Sequence, residues 1–229
     1  MTFSKTNQQL LPISHNEMTT FENFVAMEAH NPIIYQLQQI KPGEQVYLYG
    51  ESGSGCSHLA KATCVYHVGI QSIYLPLASL NGLHRSMLEG INQADLVCVE
   101  DIDFLHNNKA QQVLLFDLIN LCQSYQVALL ITAPMKPEEM VGWLPDLKTR
   151  LQAMCNWQLP SLGDEQKANI LAAWLKNQNM FVADDVVFFV FKNITRDLKE
   201  SKALLASFLK HCMKLKKTPN INSLRSYSG

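Results

Sequence analysis

Between residues 50 and 57 the chain reads Gly50-Glu51-Ser52-Gly53-Ser54-Gly55-Cys56-Ser57. Glycines at this density let a backbone turn with its amides facing inward, and a helix opening straight afterwards adds the positive potential of its N-terminus. Those are the requirements for cradling a chain of phosphates. The spacing matches Gly, four residues, Gly, Lys, Ser or Thr, except that Cys56 stands where the lysine would be. Ser57 keeps the hydroxyl that can hold magnesium. A neutral thiol offers the outer phosphates no point charge, so amides are expected to hold a nucleoside diphosphate while hydrolysis suffers. The competing reading is a Gly-rich turn that holds nothing.

About 45 residues further on, within an alternating pattern of strands and helices, comes Leu96-Val97-Cys98-Val99-Glu100-Asp101. An apolar strand closing on two carboxylates suits a magnesium–nucleotide site. Glu100 is placed to help hold the metal and Asp101 to polarise an attacking water. The order is the reverse of the usual aspartate then glutamate. A buried strand that merely ends at a solvated acidic turn is the alternative. Both motifs, in this order, favour ADP or ATP as the ligand, with Mg2+ at Ser57 and Glu100.

The elements that must position these residues are legible as alternating patterns. Apolar runs at Gln45–Tyr49, Ser72–Leu77, Leu96–Glu100, Ala128–Thr132 and Asn156–Leu159 predict strands. Helical spacing appears near Ser57–Val68, Leu80–Leu88, Lys109–Tyr125 and Pro145–Ala153. Continuous apolar strands separated by helices predict a parallel sheet covered on both faces, an α/β core. After Pro160 the pattern becomes all-helical, with helices over Asp164–Asn179, Asp184–Lys192 and Arg196–Leu215 and Asp164 as a helix cap. The predicted division is a tail at 1–20, a nucleotide-binding αβα core at 21–160, a three-helix lid at 161–217 and a frayed tail at 218–229.

Composition sets outer limits. The 229 residues carry 19 basic and 20 acidic side chains, and charged residues are only 17% of the chain. That balance does not support a broad phosphate-backbone footprint, so direct sequence-specific DNA binding is not expected. No stretch approaches the length of a membrane span, and residues 1–17 lack an apolar signal core, so a cytoplasmic protein is expected. The six cysteines form no Cys-x-x-Cys pair, and the histidines show no ligand spacing; reduced thiols and no structural metal are expected.

With these residues in hand, the chain resembles the DnaA family of AAA+ proteins, and within it the branch that regulates the initiator. The resemblance runs from about Gln8 to Leu224. It implies a P-loop αβα core with a small helical lid. It also implies that Thr20-Phe21-Glu22-Asn23-Phe24 packs beside the adenine, and that Phe21, Phe24, Gly50, Gly53, Ser54, Gly55, Cys56, Ser57 and His58 form the nucleotide site. Leu144-Pro145-Asp146-Leu147-Lys148-Thr149-Arg150-Leu151 resembles the segment ending in an arginine finger, here Arg150, acting in trans away from the chain's own phosphates and without an internal partner. Thr195-Arg196-Asp197-Leu198-Lys199 resembles the lid motif whose arginine, here Arg196, faces the bound nucleotide. Leu129–Thr132 fits the sensor strand, although Ala133-Pro134 supplies no polar group after it. Taken without the resemblance, Arg150 and Arg196 read equally as solvated surface residues.

Gln8-Gln9-Leu10-Leu11-Pro12-Ile13 is similar to the peptide with which replication proteins dock on the sliding clamp of DNA polymerase III. Gln8 would sit at the rim, with Leu11 and Ile13 in the pocket. The implied partners are therefore the DnaA initiator and the clamp, and self-association is left open. Too little chain follows the lid for a helix-turn-helix DNA reader. The implied function is stimulation of ATP hydrolysis by DnaA. The alternatives are an autonomous ATPase that loads or remodels replication proteins and a recruitment scaffold.

Overall fold

The computed structural model describes residues 19–67 and 69–227. The segment Gln8–Ile13 lies outside them. The chain divides into two compact units. One gathers Asn31–Tyr49 and Cys56–Gln158 with the described residues up to Phe24; the other gathers Val25–His30, Gly50–Gly55 and the chain from Leu159 onward.

The first unit is a five-stranded sheet with helices. Its elements are α1 (Asn31–Gln38), β1 (Gln45–Tyr49), α2 (Cys56–Tyr66), β2 (Ser72–Pro76), α3 (Leu77–Leu80), α4 (Arg85–Leu88), β3 (Leu96–Glu100), α5 (Lys109–Ser124), β4 (Ala128–Ala133), α6 (Pro145–Gln152) and β5 (Cys155–Gln158). The strands lie in the order β2-β3-β4-β1-β5, and every pairing is parallel. All residues of β3 and β4 are buried, as expected of strands covered on both faces. Val97, Val99, Leu129 and Ile131 meet Leu115, Leu118 and Ile119 of α5 and Leu147 and Leu151 of α6 in one apolar core. The Leu147–Leu151 pair, four residues apart, gives α6 its buried stripe.

The expected helix over Leu80–Leu88 is broken. Asn81 (φ 55) and Gly82 (φ +103) both take left-handed backbone, which ends α3 and separates it from α4. A side chain at Gly82 would also collide with Gln111, since a Cβ there would lie 2.5 Å from its Oε1. Gln111 closes the gap by accepting from the Leu83 amide at 2.5 Å and donating to its carbonyl at 2.8 Å. The helix α1 was not anticipated. Its Asn-Pro opening masked a short stripe that buries only Ile33 and Leu37.

The second unit contains α7 (Asp164–Asn177), α8 (Asp184–Asn193), α9 (Leu198–Leu215) and α10 (Ile221–Arg225). Its core joins Leu171 and Leu175, Val187, Val190 and Phe191, Leu205, Phe208 and Leu209, and Leu224. Three expectations change here. Gly163, not Asp164, precedes α7, and its amide donates to Gln166 Oε1 at 2.6 Å; Asp164 opens the first turn, where a carboxylate suits the dipole. Arg196 lies ahead of α9, whose cap is Asp197 accepting from the Glu200 amide at 2.8 Å. The segment expected to fray folds instead into α10, because Asn220 and Ser223 exchange side-chain and main-chain hydrogen bonds at its start and Leu224 is buried.

Candidate nucleotide site

The loop at residues 50–55 runs between β1 and α2. Gly53 (φ +81) and Gly55 (φ +107) hold left-handed backbone, and alternation of this kind turns successive amides to one side. At Gly50 a Cβ would lie 2.6 Å from Ser54 Oγ and 3.1 Å from Leu159 Cβ; at Gly53 one would lie 3.2 Å from Leu198 Cβ. The loop is thus bare where its own unit presses on it. The Ser54 amide donates to the Glu51 carbonyl at 2.9 Å, and Ser54 is buried. Ser52 donates its hydroxyl to Asp197 Oδ2 at 3.0 Å, so one carboxylate both caps α9 and steadies the loop.

Helix α2 starts at Cys56 with no acidic residue in its first turn, leaving its amide end electropositive. Cys56, Ser57 and His58 are each half-buried. The loop's inward-turned amides have the chemistry to hold a diphosphate, and Cys56 brings no cation for a third phosphate. Within its unit, His58 has a role that spacing alone did not reveal. Its Nε2 lies 2.8 Å from the Thr20 carbonyl, and its ring meets Phe24 edge-on at 5.3 Å. Phe21 is buried edge-on against Tyr66 at 5.3 Å, and the Phe24 amide returns to the Phe21 carbonyl at 3.2 Å. The Thr20–Phe24 segment is therefore fastened to α2. Phe21 serves it as packing, and Phe24 stays half-buried.

At the end of β3, Glu100 is buried and Asp101 is exposed. Asp101 turns into left-handed backbone (φ 59), and its amide donates to Thr132 Oγ1 at 3.2 Å. Thr132 is fully buried, so its hydroxyl ties the end of β4 to the carboxylate turn. Asp103 was missed as a third acid here. Crowding by protein raises its carboxyl above the ordinary range, and the nearby Asp101 carboxylate adds to the shift. Among the described residues no three His, Cys, Asp or Glu side chains converge as a metal cage. Magnesium needs only one or two protein oxygens beside water and phosphate, and Ser57 and Glu100 are the residues of the right chemistry to supply them.

The two arginines have different settings. Arg150, in the last turn of α6, donates to Gln123 Oε1 at 3.0 Å and lies 5.9 Å from the Phe116 ring centre. It therefore does have internal partners, both on α5, contrary to the expectation. Arg196 is largely exposed and lies 3.8 Å from Asp164, while its carbonyl accepts from Lys167 at 3.2 Å. An exposed ion pair such as Arg196–Asp164 is worth about 0–1 kcal/mol, so Arg196 can turn to a better partner at little cost. All six cysteines are free. No helix among the described residues is long and apolar enough to cross a membrane.

No protein-family model matches the chain. An uncharacterized protein of Haemophilus influenzae is 31% identical over 201 residues, covering 84% of this chain and 86% of that one. Domain III of the Thermotoga maritima replication initiation protein DnaA superposes with a TM-score of 0.76 at 20% identity, over 90% of this chain and 93% of that one. AMPPCP-bound DnaA from Aquifex aeolicus gives 0.64 at 18% identity, over 83% of this chain and 64% of that one. These superpositions show a shared fold. The chain belongs to one family with the uncharacterized Haemophilus influenzae protein, and its fold is that of the DnaA-like AAA+ domains.

Proposed function

We propose that the chain is a nucleotide-binding regulator of replication initiation, similar in kind to the DnaA-related inactivator Hda, which stimulates ATP hydrolysis by the initiator in trans. The observation that carries this reading is Arg150. It stands in the last turn of α6, where it donates to Gln123 and lies over the Phe116 ring, both on α5. A guanidinium brought to a partner's ATP stabilises charge on the transferring phosphoryl group and is worth about 10³–10⁵ in rate. Cys56 supports the same division of labour, because a loop without its lysine suits holding ADP better than turning over ATP. Docking on the sliding clamp through Gln8, Leu11 and Ile13 is part of the proposal, and its support is the Gln8–Ile13 sequence. A cytoplasmic protein that does not itself read DNA sequence completes the reading.

The test is ATP hydrolysis by DnaA in the presence of clamp loaded on DNA. Arg150→Ala is expected to remove the stimulation while leaving ADP binding and clamp binding in place, with a small drop in melting temperature from the lost Gln123 and Phe116 contacts. Arg150→Lys should rescue poorly, since an ammonium lacks the planar fork that spans two oxygens. Calorimetry should find ADP bound at least as tightly as ATP, and Arg196→Ala should weaken both. Normal stimulation by Arg150→Ala sinks the proposal, as does rapid ATP turnover by the chain alone.

A further inference from the structure

We infer that the helical unit carries a docking groove, where α7 and α9 end, for an acidic amphipathic peptide segment of a partner protein. The inference stands apart from the nucleotide reading and uses none of its residues. The groove has a volume of about 260 Å³ and is lined chiefly by Met180, Phe181, Leu209, Met213, Lys216 and Lys217. Leu209 belongs to the buried core and makes an apolar floor. Phe181 and Met213 stand on the rim, each 76% exposed. Singly exposed apolar side chains are ordinary; two of this size on one concavity mark a surface with something to bury.

The charge around the groove names the occupant. From Ser201 to the end the chain has no Asp or Glu, yet it carries Lys202, Lys210, Lys214, Lys216, Lys217 and Arg225. Lys210, Lys214, Lys216 and Lys217 are all exposed. The ion pairs found among the described residues, Lys136–Glu139 and Arg196–Asp164, use none of them. Two helix ends oppose this charge, each worth about half a negative charge. Both are closed by main-chain amides: Met180 N–H reaches the Leu175 carbonyl at 2.9 Å, and Lys217 N–H reaches the Cys212 carbonyl at 3.0 Å. Lys216 and Lys217 line the groove, and Lys210 and Lys214 stand on α9 just before them. The acids near the groove in sequence are Asp184 and Asp185 at the start of α8. The lysines outnumber them, so the rim attracts carboxylates.

Nucleic acid and membrane are the competing basic-surface ligands, and the lining favours neither. Bases need aromatic platforms to stack upon, and Phe181 stands alone among thioether and aliphatic side chains. A bilayer needs a convex or flat apolar face, and this one is concave. Met180 and Met213 are the soft, adaptable lining found where peptide side chains are received.

The experiment uses the full chain and a short fluorescein-labelled peptide with glutamates on one helical face and a Phe–Leu pair on the other. Fluorescence anisotropy is expected to show saturable binding that weakens with added salt. The Phe181→Ser/Met213→Ser variant should bind at least about tenfold more weakly, as loss of anchor side chains does. These side chains are exposed, so the melting temperature serves as the folding control. Lys216→Asn with Lys217→Gln is the second variant; asparagine tolerates the left-handed backbone of Lys216 (φ 52), and this pair should weaken binding and flatten its salt dependence. The inference is overturned if the peptide does not bind saturably, or if its glutamine counterpart binds equally. It is likewise overturned if neither variant weakens binding, or if oligodeoxythymidine or phosphatidylglycerol vesicles are held more tightly through the same residues.

Discussion

Across the ends of β3 and β4, the Asp101 amide leans on the Thr132 hydroxyl at 3.2 Å while Asp101 holds left-handed backbone. That backbone costs a non-glycine residue about 1–2 kcal/mol, least for Asp and Asn, whose short polar groups bond locally. Thr132→Val keeps the shape and removes the acceptor. It should lower stability in urea by about 1–3 kcal/mol, the penalty for stranding a part-buried amide. Asp101→Asn should melt with the parent, whereas Asp101→Val should lose a further 1–2 kcal/mol or so to backbone strain. Equal stability of Asn and Val at this position would remove the argument. The sequence pattern located Asp101 because an apolar run stops there. It carried no sign that the stop is a left-handed turn, or that the protein crowds Asp103 beside it. His58 was likewise placed by its neighbours in the loop motif. Its contact with the Thr20 carbonyl joins segments 38 residues apart, and no local pattern encodes that.

Among the elements, α10 answers most directly to test. Leu224 is buried in the helical core, and Tyr227 meets Phe208 at 5.7 Å and His211 at 5.1 Å. Leu224→Ala should cost about 2–5 kcal/mol, as truncation of a buried leucine does, and denaturant unfolding followed by circular dichroism would measure it. A loss below about half a kcal/mol would mean that the helix is ornamental, since that is the scale of an ordinary surface change. This helix was unreadable beforehand because its apolar residues are too few to show a period; what nucleates it is the exchange of bonds between Asn220 and Ser223. The strands were readable for the opposite reason. In β3 and β4 every side chain is buried, so the runs are unbroken and bounded by charge or turn residues. The helix expected over Leu80–Leu88 is broken by left-handed backbone at Asn81 and Gly82, where Gln111 from further along the chain bonds the Leu83 main chain instead.

For the whole molecule, near-neutrality hides a segregation. Residues 1–200 carry 13 basic and 20 acidic side chains, whereas residues 201–229 carry six basic and no acidic ones. Binding to a charged matrix follows local potential rather than net charge. At neutral pH and low salt the protein should therefore be retained on a sulfonate column despite its net charge of −1. Replacing Lys210, Lys214, Lys216 and Lys217 with glutamine should abolish that retention; if the elution salt does not change, the patch is not the cause. The sheet order has its own consequence in time. Strand β1 pairs only with β4 and β5, which follow it in the chain by most of the length of the first unit. At about 5–20 residues per second, a ribosome needs about 4–16 s to travel from Tyr49 to Ala128. Throughout that interval Val46, Tyr47 and Leu48, later fully enclosed, have no strand to pair with. The nascent chain must carry this interior strand unpaired for seconds, with its apolar side chains open to other contacts during synthesis; a full-length chain diluted out of denaturant has every partner strand at hand from the start.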